Sequence, residues 1–362
     1  MANGLDDVVA ADTILSDVDG LNGRLVIRGY LLDQLAGRTR YHEAVSLLFG
    51  GFFKDLPSDA QLAAALGQAR SEVFDRLSGQ IGTLAALPPF DGLRAGMAML
   101  PDGQSLDDAL RLVAAPSVLL PAILRHRRGL PVMAPDQTLD QSADVIRMLG
   151  ISAYRPALAA ALDTYLVTVC DHGLNASTFA ARVVASTQSG LTSSVLAGLG
   201  ALKGPLHGGA PGPIIAMLDT MATVDDPRGW VAAEVAAGDR IMGFGHRIYR
   251  VRDPRADALK AALRQLAAQG VNNPRLSFAE RAERIALDVL RAAKPDRVLE
   301  TNVEYYTAVL LEAVGFPPDA VTCVFAMGRV AGWIAHAREQ QTTGRLIRPQ
   351  SRYTGPEVPL AA

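Results

Sequence analysis

Apolar residues recur at helical spacing along most of this 362-residue chain, and this pattern limits the folds that it can adopt. The sequence is rich in alanine and leucine and has little β-branched alternation. The exception lies near the N-terminus, where residues 13–15 and 24–27 flank Asp19-Gly20 and predict a small β-hairpin. We therefore expect an all-α, mainly helical fold with a small N-terminal β-hairpin.

Several helices can be predicted from local signals. Residues 157–169 are apolar enough to form a buried helix. Ser277 and Glu280 have the spacing of a capping box, which predicts that a helix begins there. Asn302 is a suitable N-cap for a helix that Gly315 would end. A further long helix is expected after the two prolines that follow.

The length of the chain favours two domains. The glycine- and proline-rich stretches 208–213 and 315–318 are candidate boundaries. We expect residues 1–209 and 316–362 to form a large helical domain, and residues 210–315 to form a small helical domain. A hinge at 208–213 would lie beside His207, which suits a site that closes over its substrate.

The overall charge favours neither nucleic acid nor a membrane as a partner, because 35 basic residues oppose 37 acidic ones. Cys170 and Cys323 lie among apolar residues and predict buried free thiols in a reducing compartment. Residues 1–11 lack the pattern of a signal peptide, and the apolar stretch 112–124 is far shorter than the roughly 20 residues of a membrane span. We expect a cytoplasmic protein.

Two histidines lie in glycine-rich turns. His207 is part of Gly204-Pro205-Leu206-His207-Gly208-Gly209, and His246 is part of Gly243-Phe244-Gly245-His246-Arg247. Such turns let a ligand approach the backbone, and imidazole can donate or accept a proton near neutral pH. His172 follows a predicted helix at the start of a loop, and its role stays open. The remaining histidines are interpreted as structural: His42, His126 and His336.

Charged residues near these turns indicate an anionic substrate. An arginine-rich segment, with Arg250, Arg252 and Arg255, follows His246. Arg329 lies in an apolar helix and needs either a partner or a ligand, whereas Arg348 lies in a tail near the C-terminus. Because guanidinium groups bind carboxylates through two hydrogen bonds, separated arginines suit a di- or tricarboxylate.

Glu304 lies in the first turn of the helix expected after Asn302, where the helix dipole favours a carboxylate. Its position alone fits a charge that complements the dipole as well as a catalytic role. The sequence has no Walker A motif, complete GxGxxG, HExxH, GxSxG or metal-ligand spacing. Histidines, a carboxylate and arginines, without metal or redox cofactor, indicate formation or cleavage of a carbon–carbon bond beside a carbonyl.

At this point the residues resemble a known family, citrate synthase, particularly its shorter bacterial and archaeal form. The resemblance extends from Ala11 to Pro349. Its most specific blocks are Gly204-Pro205-Leu206-His207-Gly208-Gly209, Gly243-Phe244-Gly245-His246-Arg247, Asp253-Pro254-Arg255, Asn302-Val303-Glu304 and Phe325-Ala326-Met327-Gly328-Arg329. It implies a mostly α-helical two-domain homodimer that condenses acetyl-CoA with oxaloacetate and hydrolyses citryl-CoA, with CoA thioester as a substrate and no separate cofactor or metal.

The resemblance also implies roles for individual residues. His207 matches the histidine that stabilises the enol of the thioester, and His246 matches the one that polarises and protonates the oxaloacetate carbonyl. The positions that match oxaloacetate-binding residues are His172, Arg255, Arg329 and Arg348, the last contributed by the other subunit. Arg250 and Arg252 match positions that contact CoA phosphates.

One position departs from the family. The catalytic base is usually an aspartate in an Asn-Val-Asp motif, and this chain has Glu304 there. We predict that Glu304 is the base, although a misplacement of about 1 Å can cost roughly 100-fold in rate.

Two alternatives stay open. One is a 2-methylcitrate synthase that uses propionyl-CoA, and the other is a catalytically weak paralogue that acts as a binding or assembly protein. The chain lacks the long N-terminal extension of the larger, NADH-regulated bacterial form, so such regulation is not expected.

Overall fold

The computed structural model describes residues 5, 8–151, 156–208, 211–271 and 274–356. Most of these residues are helical, which confirms the predicted fold class. The first eight helices are α1 Leu32–Leu35, α2 Tyr41–Phe49, α3 Asp59–Leu77, α4 Ile81–Ala85, α5 Pro89–Ala98, α6 Leu106–Arg127, α7 Gln141–Met148 and α8 Pro156–Val169. They are followed by α9 Ala176–Ala185, α10 Leu191–Leu202, α11 Pro211–Thr223, α12 Pro227–Ala237, α13 Pro254–Ala268, α14 Pro274–Ala293, α15 Val303–Val314 and α16 Val321–Thr343.

The small sheet near the N-terminus has three antiparallel strands, β1 Ser16–Asp19, β2 Arg24–Ile27 and β3 Tyr30–Leu31. The prediction that residues 13–15 form the first strand is wrong. In the register of β1 and β2, Asp19 lies opposite Arg24 and Ser16 lies opposite Ile27. The first strand therefore begins just after residues 13–15. The apolar character of this stretch reflects the packing of Leu15, which is fully buried.

The boundaries of the later helices follow their local signals. The Asn302 side chain accepts a hydrogen bond from the Glu304 N–H at 3.0 Å and caps α15, and Gly315 ends this helix with φ +105°. These predicted ends of α15 are confirmed. Helix α14 begins at Pro274 instead of Ser277, since the fixed φ of proline suits the first helical turn.

Helix α16 forms the centre of the fold and packs against α2, α5, α6, α8, α9 and α10. The segment Pro318–Thr343 has the length and composition of a membrane span, but 89% of its apolar window is buried within the protein. A helix in a protein core can have the same length and apolar composition as a membrane span. The burial of α16 therefore explains its apolar character. Cys170 and Cys323 are buried free thiols, as predicted.

The predicted domain boundary between residues 209 and 210 lies outside the described residues. The division into large and small domains therefore stays a prediction.

Close packing at the centre generates a stability prediction. A Cβ added at Gly332 in α16 would lie 2.2 Å from the Cys170 carbonyl oxygen, which is backbone. Gly332→Ala should therefore lower the free energy of unfolding by about 1–3 kcal/mol, because α16 and the backbone just after α8 must move apart. Gly200→Ala in α10 is the matched control, since a Cβ there meets nothing within 4 Å, and it should be neutral or stabilising. Urea denaturation of both variants checks this, and a Gly332→Ala variant as stable as wild type would contradict it.

Candidate active site

Four helices bring the candidate residues together. Helix α8 packs against α13, α15 and α16, and α13 packs against α15. Arg255 lies in the first turn of α13, Glu304 in the first turn of α15, and Arg329 in the middle of α16. His172 lies in the loop just after α8. Residues far apart in sequence therefore converge beside the C-terminal end of α8.

The loop that carries His246 is fixed to the segment before α15. Gly243 and Gly245 have φ values of +87° and +81°, which favour glycine. The Gly245 N–H donates to the Glu300 carbonyl at 2.7 Å, and the Asn302 N–H donates to the Gly243 carbonyl at 3.0 Å. The Asn302 side-chain amide also donates to the Gly245 carbonyl at 2.9 Å. Because Asn302 also caps α15, it sets the position of His246 relative to Glu304.

The protonation of His246 follows from its backbone contacts. Its Nδ1 accepts hydrogen bonds from the Ile248 and Tyr249 N–H groups at 3.0 and 3.1 Å, so the neutral ring carries its hydrogen on Nε2. Burial, followed by the charge of Arg255, lowers the pKa of His246 to about 4. Nε2 lies 3.2 Å from Nη2 of Arg255, which is also a donor. Two adjacent donors can share one acceptor, such as a ligand oxygen.

Arg255 is almost fully buried and is balanced by Asp253. Its Nε and Nη2 donate to the two carboxylate oxygens at 3.0 and 2.8 Å. The same carboxylate accepts the Val303 N–H at 3.0 Å. Asp253 therefore joins the start of α13 to the start of α15.

His172 and His246 are close neighbours, with ring centroids 6.0 Å apart. The Nε2 of His172 lies 3.1 Å from the Tyr249 hydroxyl. Burial, followed by the charges of Arg255 and Arg329, lowers the pKa of His172 well below its ordinary value. The imidazole is therefore neutral near pH 7.

His207 is oriented by a serine that sequence reasoning missed. Its Nε2 lies 2.8 Å from the Ser177 hydroxyl oxygen, which also contacts the Asn175 side-chain oxygen at 2.8 Å and accepts the Trp333 indole N–H at 3.1 Å. Burial, followed by the charges of two arginines, lowers the pKa of His207 to about 4. Gly209, at the end of the predicted turn, lies outside the described residues.

Glu304 is half-buried, and its carboxylate makes no hydrogen bond or ion pair with the described residues. Burial raises its pKa above the ordinary value, and the positive charges of Arg255 and Arg240 oppose this effect. A carboxylate without a partner and with a raised pKa has the properties of a general base.

Arg329 is a buried cation without a carboxylate partner among the described residues. Only 1% of it is exposed, its Nε donates to the Val169 carbonyl, and its guanidinium carbon lies 4.8 Å from the centre of the Phe325 ring. Burial lowers its pKa to about 10, so it stays charged at neutral pH. A buried charge of this kind calls for an anionic ligand.

Comparison with known proteins decides the family. A family model described as the C-terminal domain of citrate synthase matches residues 4–350. The chain belongs to the citrate synthase family. It is 36% identical over 364 residues to "Putative citrate synthase 2" of Mycobacterium tuberculosis, covering 98% of this chain and 92% of that protein. It is 34% identical over 374 residues to the 2-methylcitrate synthase of the same organism, covering 98% and 90% of the two chains.

A solved structure supports the same assignment. The chain is similar to the citrate synthase of Thermoplasma acidophilum in a ternary complex with carboxymethyl coenzyme A and oxaloacetate. The TM-score is 0.85 at 27% identity, and the match covers 100% of this chain and 98% of that one. The predicted family, fold and enzymatic class are thus confirmed.

Three predicted site residues are not among those that converge beside the C-terminal end of α8. Arg348 is exposed in the tail after α16 and makes no hydrogen bond or ion pair with the described residues. Arg250 is also exposed, and its backbone N–H donates to the Gly20 carbonyl at 2.8 Å. Arg252 forms ion pairs with Asp257 and with Glu283, the latter at 2.9 Å. Their predicted roles stay predictions.

Sequence reasoning also missed Tyr249, Asp253 and Arg240. Asp253 could have been found from the sequence, because it belongs to the Asp253-Pro254-Arg255 block. Tyr249 and Arg240 had no distinctive sequence signal. The described residues contain no group of three or more His, Cys, Asp or Glu side chains that could hold a metal ion.

Proposed function

We propose that this protein condenses acetyl-CoA with oxaloacetate and hydrolyses the resulting citryl-CoA to citrate and CoA. The observation that carries the proposal is a group of hydrogen-bond donors in the site together with a buried arginine that forms no ion pair among the described residues. Nε2–H of His246 lies 3.2 Å from Nη2 of Arg255, and Arg329 has no carboxylate partner among the described residues. A dicarboxylate with a carbonyl group supplies the acceptors that these donors lack. The Thermoplasma acidophilum relative, whose structure contains oxaloacetate and a CoA analogue, supports this choice.

The proposed reaction begins with oxaloacetate held by His172, Arg255 and Arg329. Glu304 removes a proton from the acetyl methyl group. The neutral His207, with its hydrogen on Nδ1 and the Ser177 hydroxyl turned to donate to Nε2, donates a hydrogen bond to the developing enolate oxygen. Such preorganised donors lower the barrier more than they could in water. The enol carbon then attacks the oxaloacetate carbonyl, whose oxygen takes the proton from Nε2 of His246. Water finally cleaves the thioester and releases CoA.

The choice of acyl group separates the main proposal from its alternative, because one relative is a 2-methylcitrate synthase. We expect kcat/KM with oxaloacetate to be higher for acetyl-CoA than for propionyl-CoA. One methylene is worth about 1–3 kcal/mol, so both can react. Thiol release with each acyl-CoA measures this. A preference for propionyl-CoA would establish the alternative, and no release with either would favour a binding or assembly protein.

Glu304 is the proposed base, and its removal should stop condensation. Glu304→Gln keeps the shape of the side chain but cannot accept the proton, so kcat should fall by at least about 100-fold. Glu304→Asp should keep or raise the activity if the extra methylene limits the alignment. Because burial raises the Glu304 pKa, kcat should fall as the pH drops through that pKa. A Glu304→Gln enzyme with near-normal kcat would exclude this role.

We further propose a cytoplasmic homodimer in which Arg348 reaches the partner's site, and in which Arg250 and Arg252 bind CoA phosphates. The exposed tail that carries Arg348 supports this, since its guanidinium has no partner among the described residues. Arg348→Ala and Arg255→Ala should each be inactive alone. When the two variants are refolded together in equal amounts, about half of the dimers contain one chain of each. Each mixed dimer has one intact site of its two, so the mixture should recover about a quarter of wild-type activity. If both residues served one chain's site, mixing would restore nothing.

A further inference from the structure

The loop that carries His172 is held by one serine of the small sheet. Ser16, in β1, donates its hydroxyl hydrogen to Oδ2 of Asp171 at 2.5 Å. The same hydroxyl oxygen accepts the Gly173 N–H at 2.8 Å. Asp171 and Gly173 are the two neighbours of His172 in the chain. A single hydroxyl group therefore holds the residues just before and just after the imidazole.

The Asp171 carboxylate is also held by His336 of α16. Both residues are completely buried, and Nε2 of His336 lies 3.2 Å from each carboxylate oxygen. Nδ1 of His336 lies 3.0 Å from Nη1 of Arg182. Because a guanidinium group can only donate, Nδ1 accepts, and the hydrogen of the neutral ring lies on Nε2. His336 therefore donates to Asp171.

Arg182 closes a ring of hydrogen bonds with the same N-terminal segment. Its Nη1 also donates to Glu339, and its Nε donates to the Gln340 side-chain oxygen at 3.0 Å. The other Glu339 carboxylate oxygen accepts the Ile14 N–H at 2.9 Å. Residues 14–16 are thus held at two points, since Ile14 is bonded to Glu339 and Ser16 to Asp171.

Stability alone does not account for such a set of buried charges. Taking a carboxylate and a guanidinium out of water costs several kcal/mol each, and well-packed apolar residues of similar volume often stabilise a fold as well. Asp171, however, directly precedes a residue of the candidate site. Helix α16 approaches it closely, because a Cβ added at Gly332 would lie 3.1 Å from its Oδ1. The carboxylate is therefore confined to one place in the loop.

We propose that Asp171 is a positioning residue for His172, and that Ser16 and His336 hold its carboxylate so that the imidazole is aligned to receive oxaloacetate. This inference rests on the proposed function, in which His172 binds oxaloacetate. Nε2 of His172 lies 3.1 Å from the Tyr249 hydroxyl, and a shift of the loop would break this contact. The three residues act on binding through the loop and not by touching the substrate.

Two substitutions at His336 each keep one half of its contacts. His336→Gln places an amide nitrogen near the position of Nε2 and can still donate to Asp171, whereas His336→Asn places an amide oxygen near the position of Nδ1 and can still accept from Arg182. Each variant loses one buried hydrogen bond, so both should have a lower Tm.

The affinity for oxaloacetate separates these two variants, and isothermal titration calorimetry measures it. We expect the Kd of His336→Gln to stay within about twofold of wild type, and that of His336→Asn to rise about tenfold, the value of one hydrogen bond between His172 and a charged substrate. Equal Kd values in the two variants would overturn the proposal.

Substitutions of Ser16 test the other contact of the carboxylate. Ser16→Ala should raise the Kd for oxaloacetate about tenfold, and Ser16→Thr, which keeps the hydroxyl group, should restore it. Ser142→Ala is the matched control, since the Ser142 hydroxyl also donates to a buried carboxylate, that of Asp163 at 2.7 Å. The control should lower the Tm and leave the Kd unchanged. A Ser16→Ala variant with the Kd of wild type would contradict the proposal.

A His172→Ala background shows whether the effect passes through the imidazole. Ser16→Ala should cause no further change in Kd there, and a further rise of about tenfold would exclude positioning of His172 as the cause. Calorimetry needs no turnover. If wild type binds oxaloacetate but releases no thiol with either acyl-CoA, the proposed function fails, while the Kd values still decide the role of Asp171. A wild type that binds no oxaloacetate would overturn both.

Discussion

The burial of two guanidinium groups governs the chemistry of this site. Arginine cannot lose its charge at neutral pH, so each buried group needs a compensating anion. Arg255 has Asp253, with contacts of 3.0 and 2.8 Å. Among the described residues, Arg329 contacts a backbone carbonyl and the Phe325 ring but forms no ion pair with a carboxylate. Arg329 is therefore the buried cation that is left for an anionic ligand, in keeping with the dicarboxylate proposed as substrate.

Burial, followed by the positive charge of Arg255, also keeps the three imidazoles neutral. Burial lowers the pKa values of His172, His207 and His246, and Arg255 lowers each of them further. A neutral imidazole can donate a hydrogen bond to an enolate or a carbonyl oxygen without adding a positive charge to the site. Arg255, which is proposed to bind the anionic substrate, thus also helps to keep the three imidazoles neutral.

Much of the fold, and several residues that meet in the candidate site, could be predicted because their signals are local. Asn302 and Gly315 set the ends of α15 through the hydrogen-bonding and φ requirements of helix termini, and these depend only on nearby sequence. The first strand was misplaced because register depends on the turn that follows, whereas the apolar stretch before it is buried for another reason. Ser177 carried no signal, since its importance comes from contacts with His207 and with Trp333 of α16 that sequence spacing does not encode.

The separation of roles between two carboxylates explains how Glu304 can act as a base beside a buried arginine. If Glu304 were paired with Arg255, the ion pair would lower its pKa and weaken its basicity. Asp253 prevents this, because it holds the guanidinium through two hydrogen bonds and is itself fixed by the Val303 N–H. Glu304, the next residue along α15, is left without a partner among the described residues, and burial raises its pKa. The residue that binds the arginine thereby preserves the basicity of its neighbour.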